Sequence, residues 1–266
     1  MAAPKGGDSR SADGKPMAAS KNKSAPPATP DARPNADAAL ALLREGNARW
    51  AGGRSEHPNS SESRRELTAS EGQRPFVTVL TCADSRVPVE RVFDRGVGDV
   101  FSVRVAGNVA GVSEVGTIEY GVEHLGTPLL VVMGHTKCGA VAAAASHAET
   151  HGSVGDVVRR IAPAVERAER VNPGVDGAAL ASAAVKENVW QSVFDLLKGS
   201  DELRRRVASG ELQVVGAVYD LSTGRVDFLG EHPWQSELLT ALRDGAVVEP
   251  TRAGVDSAGV VEHPDH

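Results

Sequence analysis

Cysteine is nearly absent: the chain has two in 266 residues. A disulfide-stapled scaffold is excluded, because two cysteines allow one bridge at most. Aromatic residues are few, at 4%. Alanine, valine and glycine are abundant instead, and small side chains suit close helix–sheet packing. No run of about 18 apolar residues occurs, so no membrane-spanning helix is expected. Basic residues form no block beside aromatic ones, and the formal net charge is −6. Nucleic acid is therefore not an expected partner. No Gly-x-Gly-x-x-Gly stands between a strand and a helix, which argues against a dinucleotide site. No internal repeat is visible. Such sparing use of cysteine fits a reducing compartment and points to a cytoplasmic location.

What is present is concentrated in two short stretches. One is Cys82-Ala83-Asp84-Ser85-Arg86; the other is His135-Thr136-Lys137-Cys138-Gly139. Each holds one of the two cysteines, and the second adds a histidine. Two thiolates and an imidazole are the donor set that suits zinc. A catalytic zinc keeps three protein ligands and leaves the fourth position open. Asp84 is placed to govern that position. A closed structural site would instead need a fourth protein ligand, and Asp84 is the nearby candidate. Arg86 lies two residues on, and its guanidinium can hold a carboxylate through two parallel hydrogen bonds.

Near-continuous apolar runs precede both stretches, at 77–81 and 128–134. Runs of this kind read as strands buried on both faces of a parallel sheet. Each motif then sits just past the carboxyl end of a core strand, where open α/β sheets bind ligands. Residues 56 apart in sequence, Cys82 and Cys138, can meet there. The order of the remaining elements predicts an α/β fold: one mainly parallel sheet flanked by helices, with an N-terminal helical arm.

Residues 1–35 contain no large apolar residue except Met1 and Met17, and are expected to be disordered. They lack the apolar core of a secretory signal. Residues 36–243 form the expected catalytic domain, and 244–266 a loose tail. Helices are predicted at 36–50, around 61–69, 113–125, 139–147, 154–171, 178–199, 201–209 and 234–243. Asn35 or Asp37 is the expected cap of the first and Ser113 of the third. Further strands are predicted at 100–105, 212–219 and 226–229. The 36–50 helix carries Leu40, Leu42, Leu43 and Trp50, enough apolar surface to suggest a partner subunit.

Cys82-x-Asp84-x-Arg86 followed by Gly134-His135-x-x-Cys138-Gly139 resembles the β-class carbonic anhydrase family. Gln73-x-Pro75, Arg104-Val105-Ala106-Gly107-Asn108, Glu187-Asn188-Val189 and Gly216-Ala217-Val218-Tyr219-Asp220 also fit, so the resemblance covers roughly residues 37–230. It implies Zn2+ on Cys82, His135 and Cys138, and attack of zinc-bound hydroxide on CO2 to give bicarbonate and a proton. It implies that Asp84 is a fourth ligand in a closed, inactive state and is released when it pairs with Arg86. Gln73 and Gly139 become substrate-binding residues, and a homodimer or homotetramer is expected. The proton must also leave, and His124, His147, His151 and His232 are all available to carry it. Some family members have a second bicarbonate pocket with a tryptophan three residues before the first cysteine. Val79 stands there in this chain, although Arg104 and Tyr219 match the pocket's other residues. Hydrolysis of carbon disulfide or carbonyl sulfide would use the same ligands, and a zinc-bound scaffold or bicarbonate sensor would keep Asp84 on the metal.

Overall fold

The computed structural model describes residues 33–147 and 149–243. The segment expected to be disordered lies, up to residue 32, outside the described residues, as does the tail at 244–266.

Five strands form one sheet: β1 (Val77–Cys82), β2 (Val100–Val105), β3 (Leu129–His135), β4 (Gln213–Tyr219) and β5 (Val226–Gly230), in the order β2-β1-β3-β4-β5. The first four are mutually parallel, and β5 runs antiparallel to β4 after a tight turn. β1 and β3 are buried along their whole length, as their near-continuous apolar sequence predicts. Their side chains alternate between two cores. Val77, Val79, Leu129, Val131 and Met133 enter one; Leu80, Leu130 and Val132 enter the other.

The first core is covered by α1 (Ala36–Ala51) and the short α3 (Val89–Val92). α2 (Glu62–Glu71) lies between them in sequence and buries none of its residues. The second core is covered by α4 (Val112–Glu119), α7 (Gly177–Gly199), α8 (Asp201–Ala208) and α9 (Gln235–Arg243). α5 (Gly139–Ala145), α6 (Val154–Val171) and one end of α7 enclose a third cluster that contains both cysteines.

Two expectations are corrected. Ser113 does not cap α4. Gly111 precedes the helix, and the Glu114 carboxylate accepts its N–H at 2.9 Å, so the helix begins one residue earlier. The helix also ends sooner, giving way to a π-helical turn at Tyr120–His124. The second correction concerns α1. Asn35 caps it as expected, accepting from the Ala38 amide. However, Ala39 and Leu43 are fully buried against this chain's own sheet, with Leu40, Leu42 and Trp50 partly covered beside them. Its apolar face therefore needs no second subunit to account for it.

Candidate metal centre

From β1 the chain crosses to β2 on one side, then to β3 on the other. The carboxyl ends of β1 and β3 therefore flank the point where the sheet's winding reverses. Loops leaving two such strands diverge and open a crevice between them. Cys82 is the last residue of β1 and His135 the last of β3. Cys138 precedes α5, three residues further on. The donor atoms of Cys82, His135 and Cys138 lie within 4.8 Å of one another, and all three residues are buried.

The chemistry of the cluster calls for a cation. His135 Nδ1 donates to the Thr136 carbonyl at 2.9 Å; a carbonyl only accepts, so the ring proton sits on that nitrogen. Nε2 is left with a free lone pair, is buried, and has no hydrogen-bond partner among the described residues. An unpartnered buried nitrogen requires an explanation, and a metal facing it supplies one. The two sulfurs compete for a single proton. Cys82 is pulled down to about 4, chiefly by a hydrogen bond from the Cys138 thiol, with burial opposing. Cys138 is pushed up because it holds that proton beside a thiolate and is itself buried. A dication would displace the proton and take both sulfurs as thiolates. Burial works to lower His135, but the negative Cys82 sulfur beside it outweighs burial and raises it above its ordinary value. Separations of this size fit an ion bound at about 2.3 Å from sulfur and about 2.0 Å from nitrogen.

Asp84 stands at the rim, with Oδ2 3.8 Å from His135 Nε2. Arg86 holds both of its oxygens: Nε donates to Oδ1 at 2.9 Å and Nη2 to Oδ2 at 2.7 Å. The Arg86 amide adds a third bond to Oδ1 at 2.9 Å. The Arg86 guanidinium accordingly keeps the carboxyl well below the usual carboxylate range, against a smaller opposing effect of burial. Arg104 stiffens the turn from behind, donating to the carbonyls of Asp84 at 2.7 Å and Cys82 at 3.3 Å.

Other sequence-predicted residues are placed differently. Gly139 is the exposed first residue of α5, directly after Cys138. Gln73 is exposed and precedes the amino end of β1. Six strand residues rise about 17 Å, so Gln73 lies at the opposite edge of the sheet from the cluster in its own chain. Two residues that match the second bicarbonate pocket have partners within the chain. Arg104 is spent on backbone carbonyls, and the Tyr219 hydroxyl accepts the Trp50 indole N–H at 3.2 Å. Among the histidines, His147 pairs with Glu169, His124 lies against Tyr120, and His232 meets the Trp190 edge.

Sequence reasoning missed one contact at the cluster. The Gly107 N–H donates to Cys82 Sγ at 3.3 Å. Glycine in the turn after β2 was a visible signal for a sharp reversal. Nothing local in the sequence showed that the amide would meet a sulfur 25 residues earlier.

Comparison with known proteins agrees with this geometry. A family model described as carbonic anhydrase matches residues 77–226. Carbonic anhydrase 2 of Mycobacterium tuberculosis is 41% identical over 195 residues, spanning 72% of this chain and 91% of that protein. A carbonic anhydrase of Mycolicibacterium smegmatis is 36% identical over 197 residues, spanning 73% of this chain and 93% of that one. Among solved structures, a β-carbonic anhydrase of Aspergillus fumigatus is similar, with TM-score 0.62 and 28% identity over 79% of this chain and 97% of its own. A tetrameric β-carbonic anhydrase of Sordaria macrospora has TM-score 0.57 and 26% identity over 72% of this chain and 95% of its own.

Proposed function

The chain belongs to the β-class carbonic anhydrase family of enzymes, and on that premise we propose that it is a zinc enzyme interconverting carbon dioxide and bicarbonate. One observation carries the metal: the buried, unpartnered Nε2 of His135 facing two cysteine sulfurs. Two thiolates and a neutral imidazole would balance the charge of Zn2+ in a buried place that tolerates no net charge well. Zinc, when bound, makes hydroxide available near neutral pH by lowering the pKa of water to about 7, a figure taken from a carbonic anhydrase of the three-histidine type.

The chain's own residues do the rest. Arg86 occupies both Asp84 oxygens and so keeps that carboxylate from becoming a fourth ligand. Held there, Asp84 is a charged acceptor at the rim, able to orient a hydrogen-bond donor beside the metal. Release from Arg86 would let it close the site. Gln73 can serve as a donor to substrate only from a second copy of the chain, because its own site is at the far edge of the sheet. That requirement supports a dimer or tetramer without invoking α1. Gly139 leaves room beside Cys138, since a side chain there would meet no atom within 4 Å beyond its own neighbours and helix backbone. No helix among the described residues is long and apolar enough to cross a membrane; we take the enzyme to be cytoplasmic.

Stopped-flow CO2 hydration by metal-quantified protein tests this reading. About one zinc per chain and measurable hydration are expected. Cys138→Ser should lose metal and activity together, leaving no more than background. Full zinc occupancy in that variant would overturn the ligand assignment. Sulfide release from carbon disulfide without CO2 hydration would overturn the substrate.

A further inference from the structure

We propose that Asn188 is a positioning residue for the Cys82 thiolate, acting through the backbone of Gly107. The inference rests on the zinc reading above. Both cysteine sulfurs sit among backbone amides, but the amides differ in origin. Those facing Cys138 belong to Ala140 and Val141, in the helix that the cysteine itself begins. Cys82 has the Asp84 amide two residues on and the Gly107 amide at 3.3 Å. Only the Gly107 contact depends on tertiary structure to hold it in place.

Gly107 lies at φ 69 and Asn108 at φ 46, so two successive residues are in the left-handed region. Such a turn has alternatives close in energy unless its peptides are pinned. α7 pins it. Asn188, 1% exposed, donates Nδ2 to the Gly107 carbonyl at 2.7 Å. A carbonyl accepts only, so the amide's orientation is settled. One turn along the same helix, Ser192 donates to the Asn108 carbonyl at 2.8 Å. Ile161 closes the other side: a Cβ on Gly107 would come within 2.6 Å of its Cδ1. With its carbonyl and α-carbon fixed, Gly107 can present its N–H to the sulfur.

The other end of Asn188 shows that packing alone does not explain the residue. Its Oδ1 is buried without a partner among the described residues. An apolar side chain of similar shape, between Val185 and Val189 on this helix, would leave no such acceptor unfilled. The amide is retained for what its nitrogen does. An N–H donated to a thiolate draws electron density from the sulfur and weakens its donation to a bound cation. Groups of this kind tune metal sites from outside the ligand set.

The test uses full-length protein loaded with cobalt(II), whose thiolate-to-metal charge-transfer band reports the energy of the sulfur lone pairs. Asn188→Leu removes the donor while keeping the volume close. The band should move to longer wavelength at unchanged metal stoichiometry, because the sulfur is no longer stabilised by the Gly107 amide. Ser192→Ala loosens the neighbouring peptide and should shift the band in the same direction by less. A well-folded Asn188→Leu protein with an unmoved band overturns the proposal. So does an unmoved band in Ser192→Ala if Asn188→Leu fails to fold. A wild-type protein that binds cobalt without any such band, or binds none, overturns the zinc–thiolate reading instead.

Discussion

Two of the aspartate–arginine pairs in the described residues are built from the same chemistry and held in opposite ways. Asp84 pairs with Arg86, two residues on, at the rim of the metal cluster. Asp94 pairs with Arg49, 45 residues away, on the covered face of the sheet. The Asp94 side chain is fully buried; Arg86 is more than half exposed. Asp94 accepts from Arg49 Nε at 2.6 Å and from the amides of Glu56 at 3.0 Å and His57 at 2.9 Å. Three residues from two segments must let go before it moves. Among the described residues, every hydrogen bond to the Asp84 carboxylate comes from Arg86 alone. Once the Arg86 side chain swings away, only that residue's own amide still holds it, 3.8 Å from His135 Nε2. The number of independent partners, more than the strength of any one bond, separates a carboxylate that can exchange from one that cannot.

Removing each arginine or aspartate should expose that difference. Arg86→Ala takes away both guanidinium bonds to Asp84 and leaves only the backbone amide of residue 86. We expect zinc to be retained and CO2 hydration to fall about 100-fold or more, the scale set by misplacing a group at a reacting centre; Lys at this position should rescue little, lacking the planar fork. Near wild-type rates would remove Asp84–Arg86 from the mechanism. Asp94→Ala should do the reverse. It leaves the Glu56 and His57 amides without their acceptor and Arg49 with only the Glu56 carboxylate at 3.7 Å, and should lower stability by about 3 kcal/mol, with zinc content unchanged. Urea unfolding beside metal analysis checks both halves.

Acid sharpens the comparison further. Burial alone would raise Asp94, but the amides of Glu56 and His57 and the Arg49 guanidinium more than offset it, lowering it from 3.8 to about 2. A depressed folded pKa means stability that is fully present above about pH 4 and lost as pH falls through about 2. The contribution is about 2 kcal/mol. Stability measured from pH 2 to 6 should therefore fall more steeply toward acid in wild type than in Asp94→Asn. Parallel curves would mean that the buried pair is not the source. The smallest expected effect is at the start of the described chain. Asn35→Ala removes the α1 cap and should cost about 1 kcal/mol by thermal or urea unfolding, without touching activity. A larger loss would show that α1, which carries Arg49, governs the Asp94 lock.

Much of the fold was legible because its signals are local. Near-continuous apolar runs leading to Cys82 and His135 specify buried parallel strands, and a buried strand delivers its next few residues to a sheet edge. Asn35 announced its helix, and it does accept an amide three residues on. The meeting of Cys82, His135 and Cys138 was legible for a different reason. Two cysteines and a histidine at strand ends have few other uses, and their meeting point is set by the parallel order.

What only tertiary structure decided are contacts without any local pattern. Ser113 looks like a cap, yet the turn before it ends one residue sooner because Glu114 can reach back to Gly111. The apolar stripe of α1 has the same period whether it meets its own sheet or another subunit's. The spacing from Gln73 to Cys82 matches a family motif but does not reveal that β1 separates them by its full length. The Gly107 amide on the Cys82 sulfur, and Asn188 behind it, join residues from three elements. Periodicity and capping are encoded within a turn or a strand of chain. The environment of a sulfur atom depends on where distant segments pack, and that is settled only when the cores on both faces of the sheet close.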